Sequence, residues 1–237
     1  MYKDKKILGL ITARGGSGSI PKKNIVSLAG KPLIWYTIEA AKNSQLLTRA
    51  IISTDSEEIR AIAKKQGAEV PFMRPAELAL PDTPHMPVVQ HALQWLKEQQ
   101  GEEYDYVMIL QPTSPLRIAE DIDNSIRKAV DTGADSVMSM VELVDFDSRK
   151  IKRIEDDIIL PMFEDEGAQS SRRQEEKKAY KRNCAIYLTK TDCIMRGDLF
   201  GQVSRPYIMP LERSIDINEP FDLELAEFLL SKSWKSL

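Results

Sequence analysis

Cysteine and histidine are scarce in this chain of 237 residues, with two of each: Cys184 and Cys193, His85 and His91. The cysteine spacing fits no zinc or thioredoxin-like pattern. The two are expected to be free, buried thiols of a reducing cytoplasm. His85 and His91 do not fall on one helical face, which excludes a metal site shared by the pair, and both read as structural. A basic excess is also missing. Lys and Arg number 33 against 36 Asp and Glu, a formal net charge of -3, so a nucleic-acid partner is not expected. No run approaches the ~20 apolar residues that span a bilayer, so no membrane segment is expected. Lys3, Lys5 and Lys6 do precede an apolar run, but it contains Gly9 and Thr12 and stops at Arg14. Without a small-residue cleavage site it reads as a buried first strand and not as a leader. The content that remains, 42% hydrophobic and 29% charged, excludes a disordered chain and suffices for one sizeable core.

Short apolar runs alternate with amphipathic segments. Strands are expected at 7–13, 49–54, 68–72, 106–110 and 136–141, and helices at 32–43, 56–66, 86–99 and 119–130. The run Tyr-Val-Met-Ile-Leu at 106–110 is apolar throughout, as a strand covered on both faces requires. This alternation predicts an α/β fold with three layers, a doubly wound and mostly parallel sheet between helices. Ligands of such folds bind outside the carboxyl ends of the strands.

The pattern breaks at residues 145–182. Glu155, Asp156, Asp157, Glu164, Asp165 and Glu166 are followed by Arg172, Arg173, Lys177, Lys178, Lys181 and Arg182, with few apolar residues for a core. This stretch reads as an arm inserted into a single domain that spans 1–237. Its basic half has only Tyr180 as an aromatic, which argues against single-stranded nucleic acid. Strand pattern returns at 185–188, and a last helix from about Glu219 is expected to turn Phe221, Leu225, Phe228 and Leu229 inward.

The strongest chemical signal follows the first strand directly: Thr12-Ala-Arg-Gly-Gly-Ser-Gly-Ser-Ile-Pro-Lys-Lys-Asn24. Gly15, Gly16 and Gly18 allow a backbone to approach a ligand and aim N–H groups into one concavity. Arg14, Lys22 and Lys23 add positive charge, so a polyphosphate is the natural ligand. No Gly-Lys-Ser/Thr ends the loop, and Pro21 stands where a dinucleotide fingerprint needs its third glycine. It is therefore neither of the two commonest phosphate motifs.

With four further segments, the loop resembles the signature of the cytidylyltransferases that activate sialic acid and related nonulosonic acids. The segments are Ser53-Thr-Asp55, Met73-Arg-Pro-Ala-Glu-Leu-Ala79, Leu110-Gln-Pro-Thr-Ser-Pro-Leu-Arg117 and Ser214-Ile-Asp-Ile-Asn218. The resemblance spans nearly the whole chain. It implies a Rossmann-like nucleotidyltransferase fold, Mg2+ as cofactor, and a homodimer formed through the arm. It also implies nucleotide contacts from Arg14, Gly15, Gly16, Ser17, Lys23, Asn24 and Arg74, and substrate contacts from Gln111, Arg173, Gln174 and Lys181. Asp216 and Asn218 match the metal pair, and Arg14, Lys23 and Asp216 the catalytic set.

Two residues depart from the family pattern. Gly18 stands where relatives often carry a lysine that would stabilise charge on the α-phosphate, with Lys22 or the metal as candidates to compensate. Asn218 replaces a second aspartate, which leaves one charge fewer for the cation. Asn218 also reads as an N-cap ahead of Pro220, and Arg117 as a structural residue before the next helix. The expected reaction transfers CMP from CTP to a nonulosonic acid and releases pyrophosphate, in the cytoplasm. The alternatives are nucleotidyl transfer to another sugar or sugar 1-phosphate from GTP or CTP, and a non-catalytic nucleotide-binding homologue.

Overall fold

A computed structural model describes residues 2–16, 18–144, 150–163 and 178–232. In chain order, β1 (Ile7–Thr12) leads through the glycine-rich loop to a small ribbon, β2 (Ser27–Leu28) and β3 (Lys31–Pro32). There follow α1 (Leu33–Asn43), β4 (Arg49–Ser53), α2 (Glu57–Lys65), α3 (His85–Gln100), β5 (Tyr106–Leu110), α4 (Ala119–Thr132) and β6 (Ser136–Glu142). A hairpin of β7 (Lys152–Glu155) and β8 (Ile158–Pro161) precedes β9 (Tyr180–Lys190), α5 (Thr191–Met195), β10 (Ser204–Ile208) and α6 (Pro220–Ser231).

Six strands form one sheet in the order β10-β6-β9-β5-β1-β4. All neighbours are parallel except β9, which runs antiparallel to both β5 and β6. Alternation along each strand sorts side chains between two helical layers. Ile7 and Ile11 of β1, with Met108 and Leu110 of β5, pack with Ile34 and Ile38 of α1 and Ile122 and Ile126 of α4. Leu8, Leu10, Val107 and Ile109 face the other way, onto Val89, Leu93 and Leu96 of α3. Each such fully buried Ile or Leu contributes about 2 kcal/mol through burial. The expected α/β architecture is the observed one.

Three local expectations need correction. The segment 68–72 is no full strand; only isolated parallel bridges tie Glu69 to Ile51 and Met73 to Thr54. Pro71 between them has no N–H for a ladder. Ordered pairing after the arm begins earlier than 185, because Tyr180, Lys181 and Arg182 already pair with Glu142, Val141 and Met140. The register then shifts, with Cys184 at φ 63, a bulge conformation. In α6, Ala226 is the fully buried residue, and Leu223 and Leu230 pack beside it, while Phe221 and Phe228 are exposed. That helix is apolar on most sides, so periodicity alone does not select its buried face.

The described part of the arm is the hairpin. Asp156 and Asp157 both have positive φ, 50° and 63°, as a two-residue type I′ turn demands. Ile154 and Ile159 sit opposite each other and are 72% and 70% exposed. Ile158, Met162 and Phe163 are also exposed.

Candidate functional site

The loops after β1, β4 and β5 meet at the carboxyl end of the sheet, and hydrogen bonds lock them together. Asp55 Oδ1 accepts from the Gly15 N–H at 2.9 Å. Asn24 Nδ2 donates to the Arg14 carbonyl at 2.9 Å, closing the glycine-rich loop on itself. Arg14 Nη1 reaches across to the carbonyls of Leu80 and Pro81, each at 3.1 Å. Arg74 is buried against the end of β4, with Nε on Ser53 Oγ at 3.0 Å and Nη2 on the Ser53 carbonyl at 2.6 Å. Desolvation pulls its guanidinium down to about 10, Asp55 opposes this, and Arg14 adds to it, so Arg74 stays cationic at neutral pH.

Between these loops lies a cavity of about 390 Å³. Among the described residues its walls carry Arg14, Lys23 and Arg74 and no carboxylate. Gly16, Gly18, Asn24, Gln111 and Asn218 also line it, with Thr12, Thr83, His85 and Thr113. A Cβ built on Gly16 or Gly18 would meet no described atom within 4 Å, so packing does not require glycine there. At Gly15 a Cβ would lie 3.0 Å from the Ser56 Cβ, a constraint of packing. Gly15 does not line the cavity, and its N–H is held by Asp55. Lys22 pairs with Glu58 at 2.7 Å and is absent from the lining.

The Ser214–Asn218 segment closes the cavity from one side. Ile217 is fully buried and its N–H donates to the Thr113 carbonyl at 2.8 Å. Lys23 Nζ donates to the carbonyls of Ile217, at 3.1 Å, and Asn218, at 3.4 Å, and Ser19 Oγ also donates to the latter. Buried Asn183 holds Ser214 Oγ at 2.8 Å. Asp216 is thereby fixed behind Asn218. Its Oδ1 is buried without a hydrogen-bond partner, and its Oδ2 accepts from Asn218 Nδ2 at 3.1 Å. Asp216 itself does not line the cavity, although a carboxylate oxygen is the donor a hard cation takes. Among the described residues no three His, Cys, Asp or Glu cluster as a cage, so a cation here would also need ligand oxygens. Asn218 is not the N-cap of α6. Glu219 takes that position, and Asp222 Oδ2 accepts from the N–H groups of both Asn218 and Glu219 at 2.8 Å.

A second cavity, about 140 Å³, adjoins the first and shares His85 and Gln111 with it. Met86, Val89, Ile109 and Leu199 make its floor apolar, and Arg182 and Tyr187 add polar groups. The basic residue of β9 that lines it is Arg182. Lys181, the sequence-based candidate, is one position away and lines neither cavity, since neighbours on a strand face opposite sides. Arg182 and His85 are among the lining residues that sequence reasoning missed. Arg117 is structural as expected: it is 2% exposed and donates to the Ala185 carbonyl at 2.7 Å, Thr37 Oγ1 at 2.6 Å and the Gln111 carbonyl at 3.3 Å. His91 packs edge-on against Phe72. Both cysteines are free, Cys193 buried and Cys184 half-buried. Ser17, Arg173 and Gln174 lie outside the described residues.

Residues 8–214 match the family described as Cytidylyltransferase. The chain is 33% identical to a pseudaminic acid cytidylyltransferase of Campylobacter jejuni, over 98% of this chain and 99% of that one. It is 34% identical to a CMP-N,N'-diacetyllegionaminic acid synthase of Legionella pneumophila, with the same 98% and 99% coverage. Among solved structures, a CMP:2-keto-3-deoxy-manno-octonic acid synthetase complexed with CTP superposes with a TM-score of 0.72, covering 96% of this chain and 99% of that one. At 15% identity that match speaks for the fold alone.

Proposed function

Since the chain belongs to the cytidylyltransferase family, we propose that it transfers CMP from CTP to a nonulosonic acid and releases pyrophosphate. The observation that carries this reading is the first cavity, which among the described residues has three cations and no carboxylate at the carboxyl ends of β1 and β5. A triphosphate carries the complementary charge. Arg14 and Lys23 would hold its phosphates, each already oriented by the backbone carbonyls it touches. Asn24 and Arg74 fix the loop shape and the strand end against which the nucleoside would lie.

The acceptor belongs in the second cavity. An arginine at an apolar pocket suits a sugar acid bearing acyl groups, the chemistry named for the relatives. Gln111, shared by both cavities, would face the sugar. Transfer then requires the acceptor hydroxyl to meet the α-phosphate in line, a matter of positioning and charge neutralisation. Asp216, with the side-chain oxygen of Asn218, would hold Mg2+. When bound beside the phosphates, that ion would supply neutralisation of developing charge. The donor type suits it, since Asp216 Oδ1 has no hydrogen-bond partner among the described residues.

The hairpin supports a homodimer. A lone two-stranded ribbon is marginal in water, and the exposed Ile154, Ile158 and Ile159 would gain most from a second copy. Among the described residues no helix is long and apolar enough to cross a membrane. The test is pyrophosphate release from CTP with Mg2+ and a panel of sialic, legionaminic and pseudaminic acids. One acid should drive release well above the rate with CTP alone; if none does, the proposal fails.

A further inference from the structure

The two cavities share a wall, and the side chains that line both are Gln111 and His85. His85 is the first residue of α3, set between Pro84 and Pro87, whose fixed φ angles stiffen this helix start. Its Nε2 is 2.8 Å from Thr12 Oγ1, at the last residue of β1 before the glycine-rich loop. The ring is thus tied both to the strand that carries the phosphate loop and to the helix that floors the second cavity. His85 keeps exposed surface and lines both cavities. Desolvation there, aided by the Arg74 charge, holds its pKa below the ordinary value and keeps the ring neutral. A neutral imidazole has one donor and one acceptor nitrogen. Nε2 is engaged by Thr12, and Nδ1 has no hydrogen bond to any described residue.

We propose that His85 is an acceptor-contacting residue: the Thr12 hydroxyl donates to Nε2, and Nδ1–H donates to an oxygen of the sugar acid beside its attacking hydroxyl. The shared wall is where that hydroxyl and the α-phosphate must come within contact distance. A donor placed there orients the acceptor without binding the nucleotide. The inference rests on the reading of the first cavity as the nucleotide site and the second as the acceptor site.

The test compares wild type, His85→Ala and His85→Asn with the best acid of the panel, together with calorimetric CTP affinity and thermal melting. Loss of one substrate hydrogen bond should raise the acceptor KM about tenfold in His85→Ala. CTP affinity and melting temperature should stay near wild type, and the amide of His85→Asn should recover part of the acceptor KM. An unchanged acceptor KM in His85→Ala, an equal loss of CTP affinity, or His85→Asn behaving like His85→Ala would overturn the inference while leaving the function intact. A wild type that makes no product from any acid would overturn both.

Discussion

The cleft loops and the 150–163 hairpin both project from strand ends, yet they are held in opposite ways. The cleft loops are fixed by hydrogen bonds: Gly15 to Asp55, Asn24 to Arg14, Arg74 to Ser53 and Ile217 to Thr113. Three of these join separate segments and the Asn24–Arg14 bond closes one loop on itself, so the chain's own groups hold the cleft in shape. The hairpin is held internally by its four ladder pairs and its turn, and it turns Ile154, Ile158 and Ile159 to solvent. One region is completed by its own chain. The other leaves apolar surface uncovered by the described residues.

The largest expected effect breaks the cleft chemically. Asp216→Ala should lower turnover about a thousandfold, because the carboxylate oxygen offered to the cation is lost. A Mg2+ titration of pyrophosphate release measures it, and near wild-type turnover with unchanged metal dependence would remove Asp216 from the site. Next, Ile154→Asp combined with Ile159→Asp should weaken self-association about a hundredfold or more, seen by sedimentation across protein concentrations. The sheet core should melt as before. A dimer that survives this pair uses a different surface.

Arg117→Met tests the scaffold beneath the cleft. It leaves three acceptors without their charged donor, at a cost of about 2–3 kcal/mol, measurable by urea unfolding. A cost below about 0.5 kcal/mol would show that these bonds matter little. The smallest change sharpens the contrast by adding to the cleft. A Cβ at Gly18 meets no described atom within 4 Å, so Gly18→Lys should be accommodated. It should raise turnover up to about tenfold by adding charge near the α-phosphate. No gain would mean that the loop already neutralises the phosphate by other groups.

The placing of the cleft was legible in the sequence because the glycine-rich loop and the 110–117 segment follow strands directly and the strands are apolar runs. Arg14, Gly16, Lys23, Asn24, Arg74, Gln111 and Asn218 do line one cavity. What was not legible depends on register or on long-range packing. The choice between Lys181 and Arg182 turns on which face of β9 each occupies, and the bulge at Cys184 resets that count. Phe221 and Phe228 read as core because α6 is apolar on most sides. His85 read as structural because its meaning lies in contact with Thr12, 73 residues earlier in the chain, and in two cavities that no local pattern encodes.

The central claim is that the cationic cleft activates CTP and the adjoining pocket supplies a sugar acid. The most direct measurement is mass-spectrometric detection of the CMP-linked sugar after incubation with CTP, Mg2+ and each nonulosonic acid, with GTP and ATP in parallel. The account predicts a CMP adduct of one acid with CTP and none with the purine nucleotides. Product formed equally well with GTP, or only with a sugar 1-phosphate, would contradict it.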